Sequence, residues 1–208
     1  QCTDAADPVA EVAHAVAAAA ARLVGRARFL GQVGDDGTAD LVLAELVADG
    51  VDVSFVRRAG RTGAIVVLVA EQGERSFLTA PGSARSLDDP DPIWLDGVDV
   101  LHVPVYSLVD EPIATTAITT VGWALARGIA VSIDASSVAV LEAYGVEPML
   151  RLLAELRPTV VFANGDEAEL LGIAGPLGDA VTYVKRGAGS ATVHVPGVGP
   201  RSVPAFDV

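Results

Sequence analysis

Three short stretches carry side chains of the kind that bind or move charged groups. In the first, Val161-Phe162-Ala163-Asn164-Gly165-Asp166-Glu167, an amide closes an apolar run and carboxylates follow it at once. On spacing alone the reading is helix capping: Asn164 accepts from the first free N–H groups, and Asp166 and Glu167 meet the positive end of the helix dipole. In the second, Val184-Lys185-Arg186-Gly187-Ala188-Gly189-Ser190, the only lysine of the sequence stands before a glycine-containing turn. Asp134 closes the third, Val131-Ser132-Ile133-Asp134, and is read equally well as a ligand-binding group or as a solvated strand end. The three histidines, His14, His102 and His194, are scattered without metal-ligand spacing, and His102, set among valines and a leucine, reads as a core or strand-end residue. No Gly-x-Ser-x-Gly elbow, phosphate-binding Gly-x-x-x-x-Gly-Lys loop or Gly-x-Gly-x-x-Gly turn is present.

These stretches need a scaffold, and the rhythm of the chain describes one. From residue 98 onward, runs rich in Val, Ile and Leu alternate with helical spacing: strands over 98–103, 129–134, 159–163 and 180–184, helices over 111–127, 147–156 and 165–171. Near-continuous apolar strands separated by helices predict a parallel sheet covered on both faces, an α/β doubly wound domain. A hairpin is predicted from 191–195 and 202–205. Before residue 98 the chain predicts a helix over 8–23, a strand over 26–33, and a helix capped by Thr38 and running to about residue 49. Three consecutive strands follow without helices, 53–57, 64–70 and 75–79, the last two joined by a turn at 71–74. They predict a small antiparallel sheet over 53–84, standing off an α/β core made of 1–52 and 85–208.

Ligands of such sheets bind outside the carboxyl ends of the strands. That rule selects Asp35 and Asp36, Tyr106 and Ser107, Asp134, Asn164 and Glu167, and residues 186–190.

Composition narrows the partners. A formal charge of -13 with no basic cluster repels nucleic acid. The opening residues do not resemble a secretory signal and no apolar run is long enough to span a bilayer, so a cytoplasmic protein is expected. One cysteine, Cys2, allows neither an intrachain disulfide nor a cysteine metal cluster.

Taken in order, the motifs resemble those of the ribokinase-like (PfkB) carbohydrate and nucleoside kinases. Asn164-x-x-Glu167 followed by Ala168-x-x-Leu171-Gly172 is similar to the family's Asn-x-x-Glu segment. Lys185-x-Gly187-x-Gly189-Ser190 is similar to its nucleotide loop, with Ser190 at the place of a glycine. Val33-Gly34-Asp35-Asp36 resembles its early turn, and Thr62-Gly63, Gly73-Glu74-Arg75 and Gly82-Ser83-Ala84 resemble its lid.

The resemblance implies transfer of the ATP γ-phosphoryl group to a hydroxymethyl oxygen of a small sugar or nucleoside, with ATP and Mg2+ as cofactors. Asn164, Glu167, Lys185, Gly187, Gly189 and Ser190 would serve the nucleotide, Glu167 the magnesium shell, and Asp35, Tyr106 and Asp134 the substrate. It also implies that the lid supports a homodimer. The first strand with its Gly-Gly-x-x-x-Asn turn, and the Gly-Ala-Gly-Asp segment with the catalytic base, are not in this sequence. The chain is therefore expected to be part of a full kinase or else a non-catalytic relative that binds a nucleotide or partner. An unrelated doubly wound binding module is the third reading.

Overall fold

The computed structural model describes residues 8–69, 75–187 and 189–205. The chain forms two compact units, Gln1–Pro90 with Asp110–Thr116, and Asp91–Val109 with Ala117–Val208. The first contains helix α1 (Pro8–Val24), strands β1 (Ala27–Arg28) and β2 (Gln32–Val33), helix α2 (Gly37–Ala48), and strands β3 (Val51–Asp52), β4 (Arg57–Arg58), β5 (Ala64–Val69) and β6 (Arg75–Ala80). β1 pairs with β3 and β2 with β4, both parallel, and β5 pairs with β6 antiparallel. The last two of the three expected strands thus form the antiparallel pair, whereas the first, over 53–57, does not join it. The turn predicted at 71–74 lies outside the described residues.

The single strand predicted over 26–33 is divided in two. At the break the chain changes partner: Phe29 N–H donates to the Asp52 carbonyl, whereas the Gly31 carbonyl accepts from Arg57. Phe29 turns into the small core with Ala17, Ala21, Leu46 and Val51. The continuous strand expected over 53–57 reduces to β4 for the same reason, since the residues after β3 leave one partner before joining the next.

The cap of α2 is Asp36, not Thr38, and the difference comes from the lid base. Asp36 Oδ1 accepts from Ala39 N–H at 3.0 Å, and it also accepts from the Thr62 hydroxyl at 2.6 Å. Its Oδ2 accepts from Thr62 N–H at 2.8 Å, and Thr62 Oγ1 in turn accepts from Gly34 N–H at 3.1 Å. Gly34 is required for this approach, because a Cβ there would lie 2.1 Å from the Thr62 nitrogen. One carboxylate therefore joins the start of α2 to the base of the lid. The hydroxyl and N–H of Thr62, followed by the Ala39 N–H, lower its pKa from 3.8 to about 2.

The second unit is built on a six-stranded sheet ordered β12-β11-β10-β9-β8-β7. Strands β7 (Val100–Pro104), β8 (Ala130–Asp134), β9 (Val160–Asn164) and β10 (Val181–Lys185) are parallel, and β11 (Ala191–His194) and β12 (Arg201–Val203) continue antiparallel. Helices α3 (Ile113–Ala126), whose first residues fall in the first unit, α4 (Val138–Tyr144), α5 (Val146–Leu156) and α6 (Gly165–Leu170) connect the parallel strands. The mainly parallel α/β architecture and the small antiparallel sheet are as expected, and α4 is an addition to them. Within this sheet the strands follow chain order.

Alternation fixes what each strand presents. Val103, Val131, Ile133, Ala163 and Val184 enter the core with Leu141, Met149 and Leu153 of the helices. The opposite parity carries His102, Ser132, Asp134, Phe162, Tyr183 and Lys185. Apolar burial on the first side, at about 25 cal/mol per Å², holds the strands in the register that spaces the second.

Two outcomes follow from the lid base. Gly34→Ala forces backbone against backbone and lowers stability by about 1–3 kcal/mol in urea denaturation. Asp36 has a folded pKa below its unfolded one, so its contribution is complete above pH 3.8 and is lost as the pH falls toward about 2. The stability gap between the native protein and Asp36→Asn should accordingly narrow as the pH falls from about 4 toward about 2.

Candidate functional site

Parallel pairing brings the carboxyl ends of β7 to β10 to one edge. Pro104 pairs with Asp134, Asp134 with Phe162, and Asn164 with Lys185, so candidates separated by up to 51 residues become neighbours. Tyr106 follows β7 at the same edge, in a short 3-10 helix over Val105–Leu108. Asp35 belongs to the first unit, where its side chain is 79% exposed and 3.6 Å from Arg58.

Asn164 and Glu167 form a reciprocal cap at the start of α6. Asn164 Oδ1 accepts from Glu167 N–H at 2.9 Å, while Glu167 Oε2 accepts from Asn164 N–H at 2.8 Å. A third bond runs from Asn164 Nδ2 to Glu167 Oε1 at 2.8 Å. The capping reading is therefore what the geometry displays, in the complete form of a capping box. Glu167 is only 2% exposed, and burial raises its pKa against the opposing effect of the Asn164 N–H. Both carboxylate oxygens are engaged, and no group of three or more His, Cys, Asp or Glu that could hold a metal ion occurs among the described residues. Direct coordination of magnesium by Glu167 does not fit this arrangement.

Asp134 and Lys185 form the second pair. Lys185 Nζ donates to Asp134 Oδ2 at 2.6 Å across the end of the intervening strand β9. Asp134 Oδ1 accepts from Ser136 N–H at 2.8 Å, and the Ser136 hydroxyl donates to the Asp134 carbonyl at 2.8 Å. Ser136 takes a φ of 65° to do so. Beside this pair the rings of Phe162 and Tyr183 lie 5.7 Å apart, and that of His102 lies 6.3 Å from Phe162. His102 Nδ1 is 2.9 Å from the Ser132 hydroxyl, whereas its Nε2 is buried without a hydrogen-bond partner among the described residues. Burial pushes its pKa down, which favours the neutral ring.

After β10 the chain turns tightly. Gly187 has a φ of 56°, in the left-handed region that glycine enters without strain, and Gly189 N–H donates to the Arg186 carbonyl at 2.9 Å. The Gly189 N–H thus closes the turn and does not point outward. Gly187, Gly189 and Ser190 are exposed. On the helix side of the sheet a cleft of about 340 Å³ is lined by Gly165, Glu169, Arg186, Thr192 and His194, among others. Lys185 has the opposite parity from Arg186 and Val184. The strand-end rule does not select Glu169, Thr192 and His194; the signal available in sequence is the alternation along β11, which puts Thr192 and His194 on one face.

The fold and this edge define an α/β protein whose polar residues gather where a mainly parallel sheet ends. Residues 12–195 match the family described as pfkB family carbohydrate kinase, and the chain belongs to it. Fructokinase of Escherichia coli is 36% identical over 124 residues, which is 57% of this chain and 40% of that protein. ATP-dependent ribose-1-phosphate kinase of Halopiger xanaduensis is 32% identical over 205 residues, 93% of this chain and 64% of the relative. Among solved structures, adenosine kinase from Sinorhizobium meliloti superposes with a TM-score of 0.80 at 25% identity, over 94% of this chain and 63% of that one. The ATP-bound fructokinase from Xylella fastidiosa gives 0.78 at 24% identity, over 94% and 66%. The chain thus spans less than two thirds of the first of these relatives. Family membership excludes the unrelated binding module.

The capping box has a measurable consequence. Glu167→Ala leaves the Asn164 N–H and side-chain amide without acceptors and should lower stability by about 1–3 kcal/mol. Asn164→Ala should lower it by about 1 kcal/mol. Urea denaturation of both variants checks the pair.

Proposed function

We propose that the protein is an ATP-dependent kinase that transfers the γ-phosphoryl group to a hydroxymethyl oxygen of a small sugar or nucleoside. The observation that carries this reading is the meeting of Lys185, Asn164 and the Gly187 turn at the carboxyl edge of a family-typical sheet. A chain with a formal charge of -13 needs placed cations to receive a polyphosphate, and this edge offers an ammonium beside a turn that a ligand can approach closely, because Gly187 and Gly189 lack Cβ atoms. Asn164 and Glu167 hold the start of α6 and so position the edge, while Lys185 supplies charge toward the phosphates. Ser190, just past the turn, is exposed and near enough in sequence to extend that contact.

On the substrate side, Asp134 and Tyr106 stand at the ends of adjacent strands. Asp35, in the first unit, is assigned to the substrate by the family resemblance alone. Asp134 already accepts two hydrogen bonds, which fixes its direction. Magnesium, when bound, supplies charge neutralisation between phosphate oxygens and is expected to reach the site with the nucleotide and water.

The printed names of the relatives, fructokinase, ribose-1-phosphate kinase and adenosine kinase, support a sugar or nucleoside as the acceptor. A homodimer through the lid belongs to the same reading, because Val66, Leu68, Val69 and Leu78 are exposed on a two-stranded hairpin. Such a hairpin is only marginally stable alone. So does a cytoplasmic location; no helix among the described residues is long and apolar enough to cross a membrane.

The test is ATP-dependent phosphorylation of a panel of hexoses, pentoses, their phosphates and nucleosides by the product of the complete gene. Transfer to at least one acceptor is expected. Binding should also raise the melting temperature, since ATP at a hundred times its Kd stabilises by about 2.7 kcal/mol. A melting curve unmoved by millimolar ATP with magnesium, together with no transfer, would refute the assignment.

A further inference from the structure

We infer that Asp134 is a built-in competitor for the anion that Lys185 receives: the carboxylate occupies the ammonium until a polyphosphate displaces it. This deepens the nucleotide reading and rests on it for the identity of the anion. The contact itself is a 2.6 Å bond between Lys185 Nζ and Asp134 Oδ2.

The two partners are unequal. Asp134 is tethered on every side that could move: its Oδ1 takes the Ser136 N–H, its carbonyl takes the Ser136 hydroxyl, and the next residue donates from Ala135 N–H to the Phe162 carbonyl at 2.8 Å. Its side chain is 15% exposed, against 47% for Lys185. Lys185 ends in a compact ammonium on four rotatable carbons. The carboxylate is therefore a fixed pedestal and the lysine a mobile arm resting on it. An anion arriving at the edge can attract the arm only by replacing a preorganised partner, and it must also approach the fixed negative charge that the arm was covering.

Lys185 is the only lysine in the sequence. The next residue, Arg186, is exposed on the opposite side of the strand, so the pair governs the anion that Lys185 receives. A partly exposed ion pair is worth little in absolute terms, so the competition should be mild and reversible. Freeing Lys185 should strengthen anion binding by about two- to fivefold.

The experiment is a double-mutant cycle on anion affinity, with inorganic tripolyphosphate and ATP as separate probes, in native protein, Asp134→Asn, Lys185→Gln and the double variant. Asparagine keeps the Oδ1 acceptor for Ser136 and puts an amide donor in place of the oxygen that holds Lys185, so both the charge and the bond to the ammonium are removed. The expected result is a two- to fivefold lower Kd for tripolyphosphate in Asp134→Asn, with the gain abolished when Lys185 is also replaced. If Asp134→Asn binds tripolyphosphate no better, binds it worse, or keeps its gain without Lys185, the inference is overturned; so is it if tripolyphosphate binds to none of the four proteins. Should tripolyphosphate follow the expected pattern while ATP fails to bind, the nucleotide reading falls and the competition stands. Should ATP bind with an affinity indifferent to Asp134→Asn, the competition falls and the nucleotide reading stands. A second measurement is independent of any variant's folding: with 15N-lysine in the native chain, the Nζ signal of Lys185 must move on adding tripolyphosphate, and a stationary signal with bound anion overturns the inference.

Discussion

The parallel pairing of β7, β8, β9 and β10 is the constraint from which the rest of the second unit follows. Parallel strands point their carboxyl ends the same way, and each return crossing requires a helix, which then covers the face it packs on. Val131, Ile133, Val161 and Ala163 are completely buried as a result. Burial of those side chains sets the register, and the register alone decides that Lys185 stands opposite Asn164 and that Asp134 stands opposite Phe162. A slip of one residue would exchange the apolar and polar faces and disperse the site.

Electrostatics at that edge is organised as two closed pairs. The amide and carboxylate of Asn164 and Glu167 satisfy one another, so a buried negative charge is tolerated at the positive end of a helix. The ammonium of Lys185 rests on a carboxylate that is itself held in place. Internal pairing leaves the edge ordered, yet the Lys185 contact, being half-exposed, is the weaker of the two and the one that a ligand can open.

The first unit relies on a different device. Asp36 connects the start of α2 to Thr62, and Gly34 allows the two backbones to approach. Because a single carboxylate caps the helix and holds Thr62, the turn after β2 and the segment leading into β5 form one structural node. Its energy comes from hydrogen bonds to a charged acceptor, which are stronger than neutral ones.

What the residues determined on their own was local and periodic: the apolar strands and amphipathic helices of the second unit, the capping signal at Asn164 and Glu167, the lid strands, and the ordered motifs that carry the family resemblance. Those features depend on neighbours within a few positions, so they are written in consecutive residues. Tertiary structure decided what depends on distant chain. It divided the strand at Phe29 because two different strands pair with its halves, and it made Asp36 the cap because Thr62, 26 residues away, completes its bonding. It also turned Glu167 inward and laid Lys185 on Asp134, a pairing set by strand order and register that no local pattern encodes.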